Sequence, residues 1–581
     1  MRWGFLVVLI VIFGSFGGTC AAEEPTPSYR SVRFSYLIKA DRSVFLKQDY
    51  TLFNTFPHTM IYTVTHYIPT AETGDIAVRG GEGLSYEVTR SENYTEVEIR
   101  FTVGGRREFT YTITGAARGL VSGSGPSYVA RLGGVSLGER SYPYENLVVE
   151  ITGPEGTAFF SSLPQAELIS AEPPRARYET RVEAPGEFDG LMVSFYVPKV
   201  FYRITARTEL SNPGSQEISG AGLDLVLFPE IEWQFSALAG SSVSPARMYF
   251  DAENNLHGTF ELGELSPGAS TALLIEMIYE VDLYDSKVTE ENCGTVDEVD
   301  PSMDEYLKPD LKWEASDPLI ISKAQELSGS ERNSWSIASR IAEFVASALK
   351  YEVQETRRGA LWALTNLKGD CSEFTDLLIA LARAAGIPAK AAYGWSYSDE
   401  NLRGHAWAMI YLSRIGWLPA DPTWANSAGN YFAKIDPVHI ARCVRGIESS
   451  ETVMTMSYRG EAPSAAENVT VEVIDMEEAA ISLMRGAEAA LKVAGELMER
   501  YGWENMKETY MNAQSELAAA RGSGSPASTI EHAKLSLRSS YEVIRALGNV
   551  REEGFPWLWA AIGAGAAVLL AAACVLVRKR R

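Results

Sequence analysis

Cysteine and histidine are scarce in this chain: 581 residues carry five cysteines and six histidines. The histidines are scattered, and neither a His-Glu-x-x-His pair nor a Cys-x-x-Cys pair occurs, which excludes the usual zinc-hydrolase and zinc-finger patterns. No calcium-loop pattern is present either, so no cofactor or metal is expected. Positive charge is also short, with 52 Lys and Arg against 75 Asp and Glu and a net charge of −23. Without a basic face to neutralise phosphates, a general nucleic-acid role is excluded. Charge-free apolar runs of membrane-relevant length occur only at the two ends.

At the N-terminus, Arg2 precedes an apolar run from Trp3 to Phe16 and small residues through Gly17, Gly18, Ala21 and Ala22. This reads as an export signal over 1–22. At the other end, Phe555 to Val577 contains no charge and is followed by Arg578-Lys579-Arg580-Arg581. That is the pattern of a transmembrane helix with a short cytoplasmic tail. The expectation is a single-pass cell-membrane protein, anchored through its C-terminal helix, with an N-terminal ectodomain outside. Cys20 and Cys574 fall in those end segments, leaving Cys293, Cys371 and Cys443. A Cys293–Cys443 bridge would leave Cys371 free, and spacing does not decide whether that bridge forms. Asn93-Tyr94-Thr95 and Asn468-Val469-Thr470 are glycan-acceptor patterns.

Length alone predicts several folding units. From 23 to 199 the apolar period is two: Val32, Phe34, Tyr36 and Ile38 alternate with other residues, as do Val97, Ile99, Phe101 and Val103, and Phe109, Tyr111 and Ile113. This predicts one or two antiparallel β-sandwiches. Gly134-Val135-Ser136-Leu137-Gly138 matches the serine-hydrolase turn pattern, but no helix can follow it with Pro143 so near, so it reads as a loop. Residues 200–285 predict an Ig-like sandwich. Leu52-Phe53-Asn54 and Leu210-Ser211-Asn212 open the two regions alike and raise the idea of a duplicated module. An acidic linker spans 286–310. In 311–450, Ser328 and Glu331 form a capping-box pattern ahead of a helical stripe from Ile337 to Leu349. A linker or strand at 451–475 leads to helical runs over 476–550, read as a hairpin or stalk standing on the membrane.

The chemistry concentrates between Gly369 and Trp424. Phe374, Leu377, Leu378, Leu381 and Ala385 fall at helical spacing, so Cys371 opens a helix, where backbone N–H groups and the positive end of the macrodipole favour thiolate. His405 opens a strand and Asp421 closes the next. A hairpin centred at Ser413 sets them opposite each other, within reach of a carboxylate-to-imidazole hydrogen bond. Thiol, base and orienting anion are the three parts of nucleophilic acyl transfer.

Gly369-Asp370-Cys371-Ser372-Glu373-Phe374, Ala382-Arg383-Ala384-Ala385-Gly386-Ile387-Pro388-Ala389, Gly404-His405-Ala406-Trp407 and Gly416-Trp417-Leu418-Pro419-Ala420-Asp421-Pro422-Thr423 resemble the transglutaminase-like superfamily of papain-type fold. The resemblance covers about 318–444. It implies an α+β core with Cys371 as nucleophile, His405 as base and then acid, and Asp421 as orienting group. Family members often carry an acidic residue just after His-Ala-Trp, where this chain has Ala408 and Met409. Trp335 and Trp362 are the candidates for an oxyanion donor.

The fold class expected is therefore multidomain: N-terminal all-β sandwiches, an α+β papain-like core, a C-terminal helical stalk and one transmembrane helix. The expected function is a surface-anchored thiol enzyme that forms an acyl-enzyme on an amide or peptide bond. Its substrate would be a protein or peptide, with hydrolysis favoured over amine transfer. The alternative is a non-catalytic surface protein serving adhesion or assembly. Oligomeric state is not encoded visibly.

Overall fold

The structure, a computed structural model, describes residues 26–134, 142–182, 188–398, 401–501 and 505–550. The N-terminal apolar run, most of the 134–138 loop and the 555–577 stretch lie outside the described residues. The chain divides into two compact units, the first built from residues up to 121 with 130–155 and 166–192, the second from 122–129, 156–165 and 193 onward.

The first unit is all β. Its seven-stranded sheet runs in the order 167–171, 174–182, 144–152, 28–38, 44–53, 108–117, 77–80, and a three-stranded sheet is ordered 60–68, 95–103, 85–90. The predicted alternation is realised, since Val32, Phe34, Tyr36, Ile38, Val97, Ile99, Phe101 and Val103 are all buried. Side chains from the two sheets meet: Phe101 stacks on Phe109, and His66 Nε2 bonds Tyr111 Oη at 2.8 Å. Burial pushes the His66 pKa down to about 3, so this histidine is a neutral core member.

In the second unit a β-sandwich encloses a core of its own. Lys199–Ser211 lies between Ser270–Asp282 and Ser464–Ile474, and Ile218–Pro229 lies between Asn255–Leu265 and Met454–Arg459. Two of its strands thus come from beyond residue 450, and the central domain is inserted between the strand ending at Asp282 and the one starting at Met454. Asn212 ends the first long strand. Its Nδ2–H group donates to Gln216 O and Leu265 O at 2.8 Å, and its Oδ1 accepts Gly214 N–H at 3.0 Å. In the first unit Asn54 makes the same set, donating to His58 O and Val103 O and accepting from Phe56 N–H. The shared tripeptide opening therefore marks one repeated device, a strand end stapled to its neighbouring loop.

Two expectations are corrected here. Among the described residues no helix is long and apolar enough to cross a membrane, so the fold of those residues is corrected to one without a transmembrane element, and the 555–577 stretch on which the single-pass placement rests lies outside them. The C-terminal helices are also no free-standing stalk. Met476–Tyr501 buries Leu483, Ala487, Ala494 and Met498, and this face lies on the sandwich strand Gln234–Ser241. Gly486 lets the backbones approach, since a Cβ there would lie 3.1 Å from Ala237 Cβ. Lys507–Gly522 and Pro526–Leu547 complete the layer, and Lys534 donates to the buried Glu280 at 2.8 Å, a carboxylate that also accepts from Lys199. The physical reason is composition: the stripes are rich in alanine and narrow, suited to close packing on a sheet. The fold is thus mostly β, with a papain-like core and C-terminal helices.

The central domain starts with α1 (Pro318–Ser328), α2 (Ser334–Ala348) and α3 (Ala360–Asn366). The Ser328–Glu331 capping box does not form. Ser328 ends α1, and Asn333 caps α2 by accepting the Trp335 and Ser336 N–H groups. Helix α4 (Cys371–Ala384) is followed by β1 (Ala389–Ser398), β2 (Asn401–Leu412), β3 (Gly416–Ala420), α5 (Pro422–Ala428) and β4 (His439–Arg445), with the antiparallel sheet ordered β3-β2-β1-β4. The spacing predicts one buried face on α4, but the helix is enclosed on nearly all sides, with Phe374, Leu377, Leu378, Ile379, Ala380, Leu381 and Ala382 at 0% exposure. Two of its buried charged groups are partnered: Asp376 accepts from Arg357 at 2.8 Å and Trp313 at 2.9 Å, and Arg383 donates to the carbonyls of Ala389 and Gly446. The N-terminal end of α4 reaches a cavity, through Cys371 and Ser372.

Candidate active site

Cys371 is the first residue of α4 and half-buried, and its thiol is free, as are those of Cys293 and Cys443. Burial pushes the latter two thiols up to about 11, which makes them inert core members. The turn before Cys371 is fixed by reciprocal bonds: Asp370 Oδ1 accepts Ser372 N–H at 3.0 Å, and Glu373 Oε2 accepts Asp370 N–H at 3.1 Å. Asp370 Oδ2 accepts Gln354 N–H. The carboxylate preceding the thiol is thus spent on backbone donors. Gly369 is required by space, since a Cβ there would fall 2.3 Å from Glu373 Cβ.

His405 lies on β2 and Asp421 directly after β3, where it caps α5. The hairpin register differs from the expected one. Ala408 pairs with Ala420 and Leu412 with Gly416, so the centre is Arg414, in left-handed conformation at φ 71°, and not Ser413. Extending this register sets Asp421 opposite Trp407. Moving the centre by one whole residue shifts partners by two, which preserves the face, so His405 and Asp421 meet as a diagonal pair. His405 Nε2–H donates to Asp421 Oδ2 at 2.7 Å. Cys371 and His405 line the same two cavities, and the Cys371 side chain joins Asp421 in raising the imidazole pKa. All three predicted site residues are therefore brought together.

Two residues that sequence reasoning missed complete the cluster. His439, fully buried on β4, bonds Asp421 Oδ2 through Nε2 at 3.0 Å and Asp436 Oδ1 through Nδ1 at 2.8 Å. Asp436 in turn accepts from Val438 N–H and the Tyr431 hydroxyl. Asp421 Oδ1 accepts the N–H groups of Thr423 and Trp424 at 2.8 and 3.0 Å. Burial opposes charge on both imidazoles, but the carboxylates outweigh it. Asp421 raises His405 to about 9, and Asp436 with Asp421 raises His439 to about 9. Burial likewise opposes the Asp421 carboxylate, and the two imidazoles override it and hold its pKa below the usual range. The ligand atoms of His405, Asp421 and His439 lie within 4.8 Å of one another, close enough to share a metal ion. A proton on each imidazole satisfies the same atoms at ordinary hydrogen-bond length. The one signal available in sequence was the Asp436-Pro437-Val438-His439 spacing.

Two cavities flank the thiol and share Cys371, Gly404 and His405. One, of about 310 Å³, is lined also by Tyr393, Trp395, Arg442 and Glu451. The other, of about 590 Å³, is lined also by Tyr351, Tyr397, Arg403, Trp424 and Asn426. Neither Trp335 nor Trp362 lines them. Trp335 packs edge-on against Phe432 and Trp362 lies under Arg358, so the candidates for an oxyanion donor are displaced from the thiol.

Residues 321–422 match the family model described as Transglutaminase-like superfamily. This segment is similar to the transglutaminase-like superfamily. A curated protein of Haemophilus influenzae, named only as uncharacterized, is 32% identical over 77 residues, 10% of this chain and 21% of that protein, so the match spans about a fifth of the relative's length. A solved candidate cysteine protease from Cytophaga hutchinsonii is 15% identical, covering 48% of this chain and 91% of that one at a TM-score of 0.35. The periplasmic domain of TgpA from Pseudomonas aeruginosa, bound to ethylmercury, is also 15% identical, covering 40% and 91% at a TM-score of 0.22. The transglutaminase-like match ends at Pro422, so it includes Cys371, His405 and Asp421 and stops short of Asp436 and His439.

Proposed function

We propose that the transglutaminase-like domain is a thiol enzyme acting on amide or peptide bonds, with Cys371 as nucleophile, His405 as acid and base, and Asp421 as orienting anion. The observation that carries this reading is the placement of His405, held by Asp421 at 2.7 Å and lining the same two cavities as Cys371. A cationic imidazole beside the sulfur favours the thiolate. The thiolate attacks the carbonyl carbon, and the backbone N–H of Cys371, at the positive end of α4 and outside the Asp370 cap, serves the developing oxyanion. The C–N bond breaks as His405 gives its proton to the departing amine. Water, deprotonated by His405, then attacks the thioester, releasing the acid and restoring the thiol. Hydrolysis is proposed over transfer, with a protein or peptide as substrate.

The test is site-resolved alkylation of the full chain with iodoacetamide, read by peptide mass spectrometry. Cys371 is expected to react at pH 7 at least tenfold faster than a free model thiol, and His405→Ala to remove the excess. Equal rates for Cys371 and the model thiol refute the reading. Turnover of a peptide library with and without hydroxylamine separates the acceptors: a hydroxamate as main product refutes hydrolysis.

A further inference from the structure

Asp421 is unusual in giving one oxygen to two imidazoles. His405 reaches Oδ2 at 2.7 Å and His439 reaches the same atom at 3.0 Å, while Oδ1 is held by two backbone N–H groups. An ionised carboxylate only accepts hydrogen bonds. His439 is bonded to carboxylates through both ring nitrogens, so both must carry hydrogen and the ring is an imidazolium. With Asp421, Asp436 and His405 the buried quartet then holds two positive and two negative charges and sums to zero, the condition under which such a group tolerates burial. Among the described residues no other charged side chain bonds His439. Its remaining neighbours are the rings of Trp407, Trp424 and Tyr431, which keep water away.

We propose that His439 is a positioning residue for the thiol chemistry: bridging Asp421 and Asp436, it fixes the carboxylate oxygen that orients His405 toward Cys371. The inference rests on the reading of Cys371 and His405 given above. Asp436 belongs to the same device, since its own position is set by Val438 N–H and by Tyr431, whose hydroxyl is 3.2 Å from that of Tyr196. Without the His439 Nε2–H bond, Asp421 Oδ2 has one imidazole partner in place of two and can swing with it about Oδ1, which Thr423 and Trp424 hold. The imidazole of His405 then loses its fixed edge toward the sulfur.

The two amide variants separate positioning from packing. In His439→Gln the side-chain amide reaches the place of Nε2 and can donate to Asp421. In His439→Asn it reaches the place of Nδ1 and serves Asp436 alone. The readout is the ratio of Cys371 carbamidomethylation rates at pH 7 and pH 10 in the full chain, with the melting temperature recorded alongside. For positioning, His439→Ala and His439→Asn lower the ratio about tenfold or more, the worth of one charge-assisted hydrogen bond, and His439→Gln stays within about threefold of wild type. Three variants with the wild-type ratio overturn the proposal. An equal fall in all three, tracking their melting temperatures, also overturns it and assigns His439 to the fold. A wild-type Cys371 no faster than a model thiol at pH 7 fails the thiol-enzyme reading itself, a result distinct from either.

Discussion

Replacing Asp421 by Asn tests the electrostatic core of the site and has a magnitude that can be worked out. The carboxamide oxygen can keep the two backbone N–H bonds at 2.8 and 3.0 Å, so the cap of α5 is spared. The amide nitrogen then faces two imidazole N–H donors, and both bonds to Oδ2 are lost. At about 1.5–3 kcal/mol for each hydrogen bond to a charged group, the gross loss is about 3–6 kcal/mol, and release of the His405 proton brings the net to about 3 kcal/mol. Its sign with pH follows from the imidazoles, whose folded pKa values are raised to about 9 from the ordinary 6.5. Their contribution is fully present below pH 6.5 and fades as pH rises through 9. Urea unfolding followed by tryptophan fluorescence is a suitable assay, because Trp407 and Trp424 lie against these histidines. A loss of about 3 kcal/mol at pH 6 that shrinks above pH 9 is expected. A loss under about 1 kcal/mol, or one that does not change with pH, refutes the charge assignment.

Three further outcomes are expected. Amide turnover by Cys371 falls on an alkaline limb near pH 9, where His405 loses the proton it gives the leaving amine, and a pH–rate profile measures it. Glu280→Gln leaves the buried Lys534 ammonium without its anion and costs about 3 kcal/mol in urea unfolding. Because Lys199 and Lys534 overcome burial and lower the Glu280 pKa, its contribution is present above pH 4.5 and is lost as pH falls through the folded value, so the penalty disappears in acid. Gly486→Leu drives a side chain into Ala237 and the Leu238 carbonyl, lifting the helix Met476–Tyr501 from the sheet at a cost of about 1–3 kcal/mol, seen as faster amide exchange in Gln234–Ser241.

The helix that Cys371 opens was legible because its signals are local. Cys371 is announced by Gly369-Asp370 before it and an apolar helical period after it, and each residue has a short-range task. The strands of the first unit were legible through period two, which burial imposes directly. His439 was not, because it joins Asp421 only through the sheet order β3-β2-β1-β4, and strand order leaves no mark on neighbouring residues. His405 and Asp421 meet across this hairpin, though its centre is Arg414 and not Ser413. Arg414 takes the left-handed position that sequence assigns to no arginine, yet the even shift kept His405 and Asp421 on one face. The capping box at Ser328 failed because Asn333, two residues beyond Glu331, is the better acceptor for the first turn of α2. The C-terminal helices were misplaced because an amphipathic stripe shows that a face is covered without saying what covers it.

The sandwich whose strands lie on both sides of the central domain has an order of assembly written into it. As the chain is synthesised from the N-terminus, Lys199–Ser211 emerges long before Ser464–Ile474, and Ile218–Pro229 before Met454–Arg459. Each early strand keeps an open edge, ready to pair with another chain, until the thiol-bearing domain has been made. The sandwich therefore cannot close until the whole of that domain has been synthesised, and a chain that stops before residue 454 leaves two unpaired edges.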